Sequence, residues 1–235
     1  MKNKYLELEK KIQINFKNQL LLKNVFIHRS YLNENRYLKL SSNERLEFLG
    51  DSVLSLITSV YLFKNFPELK EGEYTDIKSV IVCAESLAEA AEKINLGDYL
   101  FLSKGEEKND GRRNKNILSD CFEALIAAIF LDKNFETAYN FVSKFLFENN
   151  LNFIIKNRKY LPAKTTLQEF FQEKYKLLPE YKVLEEKGPA HKRIFTVGVY
   201  FKNNLLGYAT GSSKKEAEEE AAKKAVEKLK KEFKI

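Results

Sequence analysis

Residues 43–54 read NERLEFLGDSVL, a stretch that combines a helical pattern of apolar residues with three closely spaced acids. The apolar residues recur every three or four positions, as on the buried face of an amphipathic helix: Leu46, Leu49, Val53 and Leu54. Glu44, Glu47 and Asp51 follow at i, i+3 and i+7, so a helix carries all three on one face. We therefore predict a helix over residues 43–65 that presents carboxylates from an otherwise apolar surface.

A second acidic pair lies in another apolar stretch, LSDCFEAL at residues 118–125. Asp120 and Glu123 are three positions apart and share one face of a helix predicted over residues 116–131. Helical bundles build two-metal sites from carboxylates that project inward from facing helices, and oxygen ligands favour Mg²⁺ or Mn²⁺. The alternative is that the acids form surface salt bridges with residues such as Lys115. Two acidic pairs in the two most apolar helices of one domain favour the metal site.

Gly50 lies inside the first of these helices, between Glu47 and Asp51. A glycine in a helix interior costs about 1 kcal/mol relative to alanine. It is tolerated where another backbone or a ligand comes close to the helix. A backbone or a ligand close to the acids would therefore account for Gly50.

The N-terminal two thirds of the chain are predicted to form an all-α bundle, because apolar residues keep the three-and-four spacing to about residue 157. Predicted helices cover residues 5–12, 18–27, 43–65, 72–94, 116–131 and 134–150. Predicted loops cover residues 28–42, 66–71 and 97–115. The polar, basic part of the last loop, residues 103–116, indicates either function or mobility. Cys83 and Cys121 lie in apolar helical stretches and are expected to be buried, reduced core residues.

The remaining third differs in its pattern and in its charge. A short stretch with Pro162 precedes five predicted elements: a helix at 165–175, strands at 181–187, 192–201 and 205–210, and an amphipathic helix at 214–233. Residues 1–152 carry 21 Lys or Arg and 22 Asp or Glu, whereas residues 153–235 carry 19 and 11. This asymmetry fits a catalytic body joined to a module that binds nucleic acid.

Four stretches of the N-terminal part resemble segments of the ribonuclease III family: FIHRSY at 26–31, NERLEFLGDSVL at 43–54, EGE at 71–73 and ILSDCFEALIAAIFLD at 117–132. The C-terminal part resembles a double-stranded-RNA-binding domain in the order of its elements. The resemblance implies an all-α endonuclease domain at residues 1–155 and a linker at 156–162. An α+β double-stranded-RNA-binding domain, in the order α-β-β-β-α, would follow at residues 163–233.

The resemblance also implies the ligands of the metal site. These are four carboxylates from the two acidic stretches: Glu47, Asp51, Asp120 and Glu123. They would bind Mg²⁺, with Mn²⁺ as a substitute, and Asp51 and Glu123 would be the catalytic pair. No organic cofactor is implied.

Four neighbouring residues have supporting roles by the same resemblance. Glu44 and Glu71 would be accessory acids near the cleft. Phe48 would pack into the partner subunit of a homodimer, and the alternative is an ordinary core phenylalanine. His28 is expected to make structural hydrogen bonds rather than to bind metal.

In the C-terminal domain the resemblance implicates three separate regions in RNA binding: the first helix, the loop after the first strand and the start of the last helix. The residues are Thr165, Gln168, Glu169, Gln172, His191, Lys192, Lys214 and Lys215. A helix N-terminus with two lysines is a natural anion site, although lysines alone would indicate only a solvated helix face. Glu218 stands where the wider domain family often has a third basic residue, which puts that contact in doubt.

The resemblance implies an endonuclease that cuts double-stranded RNA, leaving 5′-phosphates, 3′-hydroxyls and short 3′ overhangs. Precursors of ribosomal RNA and other structured transcripts would be its substrates. A binding protein without catalysis would lack some of the four carboxylates, and all four are present. A structural protein of the ribosome would explain the basic third but not the acidic helix faces. Since no signal peptide or membrane-length apolar run is evident, the chain is expected to be cytoplasmic, without a membrane partner.

Overall fold

Helices make up the N-terminal unit, Met1–Tyr160, in the computed structural model of the chain, which describes residues 2–189 and 192–233. They are α1 (Lys2–Ile12), α2 (Gln19–Val25), α3 (Arg29–Glu34), α4 (Glu44–Asn65), α5 (Glu71–Ile81), α6 (Ala84–Lys93), α7 (Lys104–Lys108), α8 (Lys115–Asp132), α9 (Phe135–Val142) and α10 (Glu148–Lys156). Short 3₁₀ turns lie at Leu96–Tyr99 and Gly111–Arg113, and a π-helical turn at Ser143–Phe147 joins α9 to α10.

The central helix of this unit is α8, which is buried over most of its length and is surrounded by α2, α4, α6 and α9. Its closest neighbour is α4, and Gly50 lies where the two helices meet. A Cβ atom added to Gly50 would lie 2.0 Å from the carbonyl oxygen of Glu123. Of the two groups considered from the sequence, a backbone or a ligand, the structure places the backbone of α8 at Gly50.

The single helix predicted over residues 72–94 is wrong, because the chain turns at Val82 and Cys83 between α5 and α6. Apolar spacing is helical on both sides of this turn, so periodicity alone does not reveal it. Cys83 is the residue that precedes α6, and its side chain is exposed, contrary to the prediction that both cysteines are buried. Cys121, on α8, is buried as predicted.

The predicted loop at residues 97–115 contains α7 and two 3₁₀ turns, and side-chain hydrogen bonds hold it in place. Arg112 donates a hydrogen bond of 2.7 Å to the carbonyl oxygen of Gly97 and another of 2.9 Å to Glu107. Ser103 accepts from the N–H of Glu106 and so caps α7. These contacts hold the segment against the unit, which argues against the mobility considered from the sequence.

The C-terminal unit, Leu161–Ile235, has the predicted order of a helix, three strands and a helix. Its elements are α11 (Ala163–Tyr175), β1 (Glu180–Lys187), β2 (Ile194–Phe201), β3 (Asn204–Gly211) and α12 (Lys214–Phe233). The strands form an antiparallel sheet in the order β1-β2-β3. Residues of α11, of the sheet and of α12 build the core, and those from α12 are three alanines and a leucine: Leu167, Phe171, Val199, Ala209, Ala221, Ala222, Ala225 and Leu229.

Within the described residues, α4 is the one helix whose length and apolar composition would suffice to cross a membrane. Length and composition alone are weak evidence against the prediction that no stretch approaches a membrane span. The core helix of a folded domain meets the same criterion, and α4 packs against α8. The core accounts for part of its apolar composition, since 39% of the apolar window is buried.

Candidate functional site

Three of the four predicted metal-binding carboxylates converge between α4 and α8. Glu47, Asp120 and Glu123 each offer a carboxylate oxygen, and these oxygens lie within 4.8 Å of one another. Glu47 comes from α4, whereas Asp120 and Glu123 lie one turn apart on α8. Because Gly50 allows the two backbones to meet at Glu123, the glycine sets the distance between the two acidic faces.

Burial and mutual repulsion make the negative charge of this cluster unfavourable. Burial raises the pKa of Glu123 to about 8, and the nearby charges of Asp51, Asp120 and Glu47 act in the same direction. Burial is also the main cause that raises the pKa of Glu47 and of Asp120, and Asp120 adds to the effect on Glu47. A divalent cation would relieve both penalties, and hard oxygen ligands suit Mg²⁺ or Mn²⁺. The residues present therefore fit such an ion.

Asp51 lies at the rim of the cluster rather than within it. It is exposed on α4, one turn after Glu47. Its charge raises the pKa values of Glu123 and Glu47, so its carboxylate lies near both. The structure therefore brings the four predicted acids into one neighbourhood, with three in close contact and Asp51 on the solvent side.

A cleft of about 260 Å³ opens onto the cluster, and its lining includes Glu44. The carboxylate of Glu44 accepts a hydrogen bond of 2.6 Å from Ser42 and lies 3.6 Å from the guanidinium of Arg29. The other lining residues are His28, Arg29, Asn43, Glu47 and Asp120. Glu71 is not among them; it is exposed at the first residue of α5.

His28 holds the wall of this cleft through hydrogen bonds, in line with the prediction. Its Nδ1 lies 2.8 Å from the hydroxyl of Ser30, and the same nitrogen caps α3. The hydroxyl of Ser30 accepts in turn from the N–H of Ser103 at 3.1 Å. Burial is the largest influence on His28 and lowers its pKa, which favours the neutral ring.

Sequence reasoning missed two residues of the cleft, Asn43 and Arg29. Asn43 is buried at the start of α4, and its side-chain amide donates a hydrogen bond of 3.2 Å to the carbonyl oxygen of Val25. Its backbone N–H donates a hydrogen bond of 2.9 Å to the carbonyl oxygen of Ile27, so Asn43 fixes α4 against the chain after α2. Arg29 is 71% exposed and contributes a positive charge beside Glu44. Both belong to the stretches that carry the family resemblance, which was the available signal.

The side chain of Phe48 is 79% exposed on α4, so the alternative of a core phenylalanine is wrong for this unit taken alone. The adjacent residues Arg45 and Leu49 line a separate cavity of about 600 Å³ together with residues of α2 and the segment before α4. Phe48 itself is not among the residues that line this cavity.

The C-terminal unit exposes most of the residues expected to bind RNA. On α11, Gln168, Glu169 and Gln172 are exposed and Thr165 is half-buried. Lys192 is exposed in the β1–β2 segment, and His191 lies outside the described residues. Lys214 and Lys215 are exposed in the first turn of α12.

Side chains hold the start of α12 in place, which positions its two lysines. Ser213 accepts from the N–H of Glu216 at 3.2 Å. The carboxylate of Glu216 in turn accepts from the N–H of Ser212 at 2.8 Å. Glu218, which departs from the basic residue of the wider family, pairs with Lys164 of α11 at 2.5 Å.

Comparisons with known proteins agree with this arrangement. The sequence matches a family described as Ribonuclease-III-like over residues 18–150 and one described as Double-stranded RNA binding motif over residues 163–229. Ribonuclease 3 of Clostridium tetani is 44% identical over 230 residues, which cover 97% of each chain. Ribonuclease 3 of Borreliella burgdorferi is 44% identical over 224 residues, which cover 95% of this chain and 89% of that one.

A solved structure with the same fold is the nuclease domain of ribonuclease III from Campylobacter jejuni, which is 38% identical. The match has a TM-score of 0.57 and covers 61% of this chain and 96% of that one. The structure is described for flexibility in a region involved in dimer formation of that domain.

Proposed function

Since this chain belongs to the ribonuclease III family and is an endoribonuclease specific for double-stranded RNA, we propose that it hydrolyses RNA by two-metal catalysis between α4 and α8. The observation that carries this proposal is the convergence of Glu47, Asp120 and Glu123 within 4.8 Å. Partly buried carboxylates so close together are costly without a cation. Their retention in an apolar setting is best explained by metal binding.

The residues around the cluster have two proposed roles, which are metal binding and the admission of RNA. Glu47, Asp120 and Glu123 would hold Mg²⁺ or Mn²⁺, and Asp51 would complete the site from its rim. Such ions, when bound, supply an activated water and stabilise the leaving oxygen of a phosphodiester. Glu44 and Arg29 line the entrance, where the positive charge of Arg29 favours the approach of an RNA phosphate.

A cleavage assay on a defined RNA duplex tests the site. We expect the unmodified chain to cut in Mg²⁺ and not in EDTA. Glu123→Gln should lower the cleavage rate at least about 100-fold while duplex binding persists, because metal ligands rather than RNA contacts are lost. Calorimetry without RNA should show weaker Mg²⁺ binding by this variant.

Glu136→Gln is the matched control, because Glu136 is an exposed acid of α9 in the same unit. It should cleave and bind Mg²⁺ as the unmodified chain does. Unchanged cleavage by Glu123→Gln would contradict the assigned site. Duplex binding without any cleavage by the unmodified chain would instead identify a family member that has lost catalysis.

The products and targets are finer parts of the same proposal. We expect cuts that leave 5′-phosphates, 3′-hydroxyls and short 3′ overhangs, and end-labelling of the fragments would test each of these features. Precursors of ribosomal RNA and other structured transcripts in the cytoplasm are the proposed substrates. Their support is the family membership of the chain.

The proposal includes a homodimer, supported by the exposed ring of Phe48 and by a cavity of about 600 Å³ whose lining includes the α4 residues Arg45 and Leu49. In a two-fold dimer the same surface patch of both subunits forms the interface. A side chain that projects from the patch can therefore enter a cavity on the partner's copy of the patch, and this contact occurs twice. Analytical ultracentrifugation should show a dimer whose dissociation constant rises for Phe48→Ala. Phe153→Ala removes another exposed phenylalanine, on α10, and should leave the dimer unchanged. Equal dimerisation of both variants would contradict this interface.

A further inference from the structure

The first turn of α11 has no cap of its own. The residue before the helix is Pro162, whose side chain offers no hydrogen-bond acceptor. The first N–H groups of a helix have no partner within the helix, and they are commonly satisfied by the side chain of the preceding residue. At α11 this role falls to another element.

Glu219 of α12 supplies the missing cap. Its carboxylate accepts a hydrogen bond of 2.6 Å from the N–H of Ala163 and a longer one of 3.4 Å from the N–H of Lys164. A carboxylate is favoured there because the N-terminus of a helix carries a partial positive charge. The cap therefore joins the start of α11 directly to α12.

The adjacent residue strengthens this junction. Glu218 pairs with the ammonium of Lys164 at 2.5 Å, and the same ammonium lies 4.8 Å from the centre of the Tyr181 ring on β1. Glu218, which replaces the wider family's basic residue, thus forms an ion pair with α11. Lys164 is correspondingly held by contacts within the domain.

The junction lies between the two groups of residues expected to meet RNA. Glu219 is one helical turn beyond Lys215 on α12. Its partners, the N–H groups of Ala163 and Lys164, directly precede Thr165 and lie one turn before Gln168 on α11. Since both connections are short and helical, the cap fixes the offset between the two groups.

We propose that Glu219 is a positioning residue for RNA recognition: by capping α11 from α12, it sets the residues of α11 that are expected to contact RNA at a fixed offset from the two lysines at the start of α12. This inference rests on the proposed RNA-binding role of these two helices. Phosphate contacts place a protein on a duplex without identifying it, whereas contacts to 2′-hydroxyls distinguish RNA. Loss of the cap should therefore reduce discrimination for RNA more than it reduces phosphate binding.

The direction in which RNA affinity changes when Glu219 is removed distinguishes this proposal from the behaviour of an ordinary surface acid. An acid near the phosphates of RNA repels them, so removing an ordinary acid tightens binding. The proposal predicts the opposite for Glu219. Glu220 is the matched control, because it lies at the next position and pairs with Lys223 within α12.

The test uses the full chain in EDTA, with fluorescence anisotropy on two duplexes of about 20 base pairs, long enough for one such domain. One duplex is RNA, and the other has the same sequence with every 2′-hydroxyl methylated. Glu219→Ala should weaken binding to RNA about fivefold, the equivalent of a lost cap, and binding to the methylated duplex less than twofold. Glu220→Ala should bind both duplexes as tightly as the unmodified chain or slightly more tightly.

Glu219→Gln keeps one acceptor oxygen and should bind RNA about twofold less tightly than the unmodified chain. If circular dichroism shows that Glu219→Ala does not fold, the affinities of Glu219→Gln are used to test the proposal. Unchanged or tighter RNA binding by the variant used for the test, or an equal loss on both duplexes, would overturn the proposal. Absence of RNA binding by the unmodified chain would refute the proposed function itself, so the two failures are distinguishable.

Discussion

Gly50→Ala tests whether the metal centre depends on the close contact of α4 with α8. The new Cβ would lie 2.0 Å from the carbonyl oxygen of Glu123 and 2.5 Å from its carbonyl carbon. Ordinary carbon–oxygen contacts are about 3.3–3.6 Å, so the two backbones must separate by more than about 1 Å at that point. Both clashing atoms belong to the main chain, so a change of side-chain rotamer cannot relieve the contact.

Gly50→Ala is expected to lower both stability and activity. Overpacking costs about 1–3 kcal/mol and occasionally more, and a clash that only a backbone shift can relieve belongs at the upper end of that range. Because alanine recovers about 1 kcal/mol of helix propensity, the net loss of stability is roughly 2 kcal/mol. Displacement of a catalytic group by about 1 Å can lower activity about 100-fold. We therefore expect a urea midpoint shifted to a lower concentration, with the fold retained, together with a loss of about 100-fold in cleavage rate.

The measurement is the initial rate of cleavage of a labelled duplex at saturating Mg²⁺, with urea denaturation of the same sample. Gly105→Ala is the control, because a Cβ there would meet only the hydroxyl of Ser103, at an ordinary 3.8 Å. It should cleave at the unmodified rate. A Gly50→Ala protein that cleaves within threefold of the unmodified rate would refute the reasoning.

Three further predictions follow from other contacts. Lys214→Ala combined with Lys215→Ala should weaken duplex binding and reduce the slope of log affinity against log salt by roughly 2, and an unchanged slope would exclude both phosphate contacts. Tyr160→Phe removes a hydrogen bond of 2.7 Å to Glu73 and should cost about 1 kcal/mol at pH 7 by urea denaturation. Because this bond lowers the pKa of Glu73 below 4.5, its stabilisation is present above that pH and is lost as the pH falls through the lowered value. In EDTA at pH 8 or above, Glu123→Gln should unfold at a higher temperature than the unmodified chain, because burial and neighbouring acids raise the pKa of Glu123 to about 8 and its ionised form opposes folding. Mg²⁺ should reverse that order, and a lower melting temperature of the variant in EDTA would contradict the placement of Glu123.

The long elements of both units could be predicted from apolar spacing, because each buries one continuous face. The helix predicted at residues 43–65 corresponds to α4, and that at 116–131 corresponds to α8. The turn between α5 and α6 could not be predicted, since it needs no proline or glycine and leaves the apolar spacing helical on both sides. The order of residues 97–115 likewise depends on Arg112 reaching Gly97, a contact between positions far apart in sequence.

For the site, spacing along each helix predicted which acids share a face but not how the two faces meet. That Asp51 stays on the rim depends on the line along which α4 crosses α8, which a single helix pattern does not contain. Asn43 and Arg29 escaped prediction for a related reason. An asparagine before a helix usually indicates a local cap, whereas the amide of Asn43 reaches back to Val25.

The features that revealed the site are those that would weaken an isolated helix. Carboxylates one turn apart repel each other, acids are unfavourable on an apolar face, and glycine lowers helix propensity. In the folded chain these unfavourable choices meet at one place, where Gly50 touches the backbone of Glu123 and three acids converge. Local choices that oppose folding and coincide in space indicate selection for function rather than stability. Glu218 is the contrasting case, because its apparent departure is satisfied by Lys164 and so indicates a structural role.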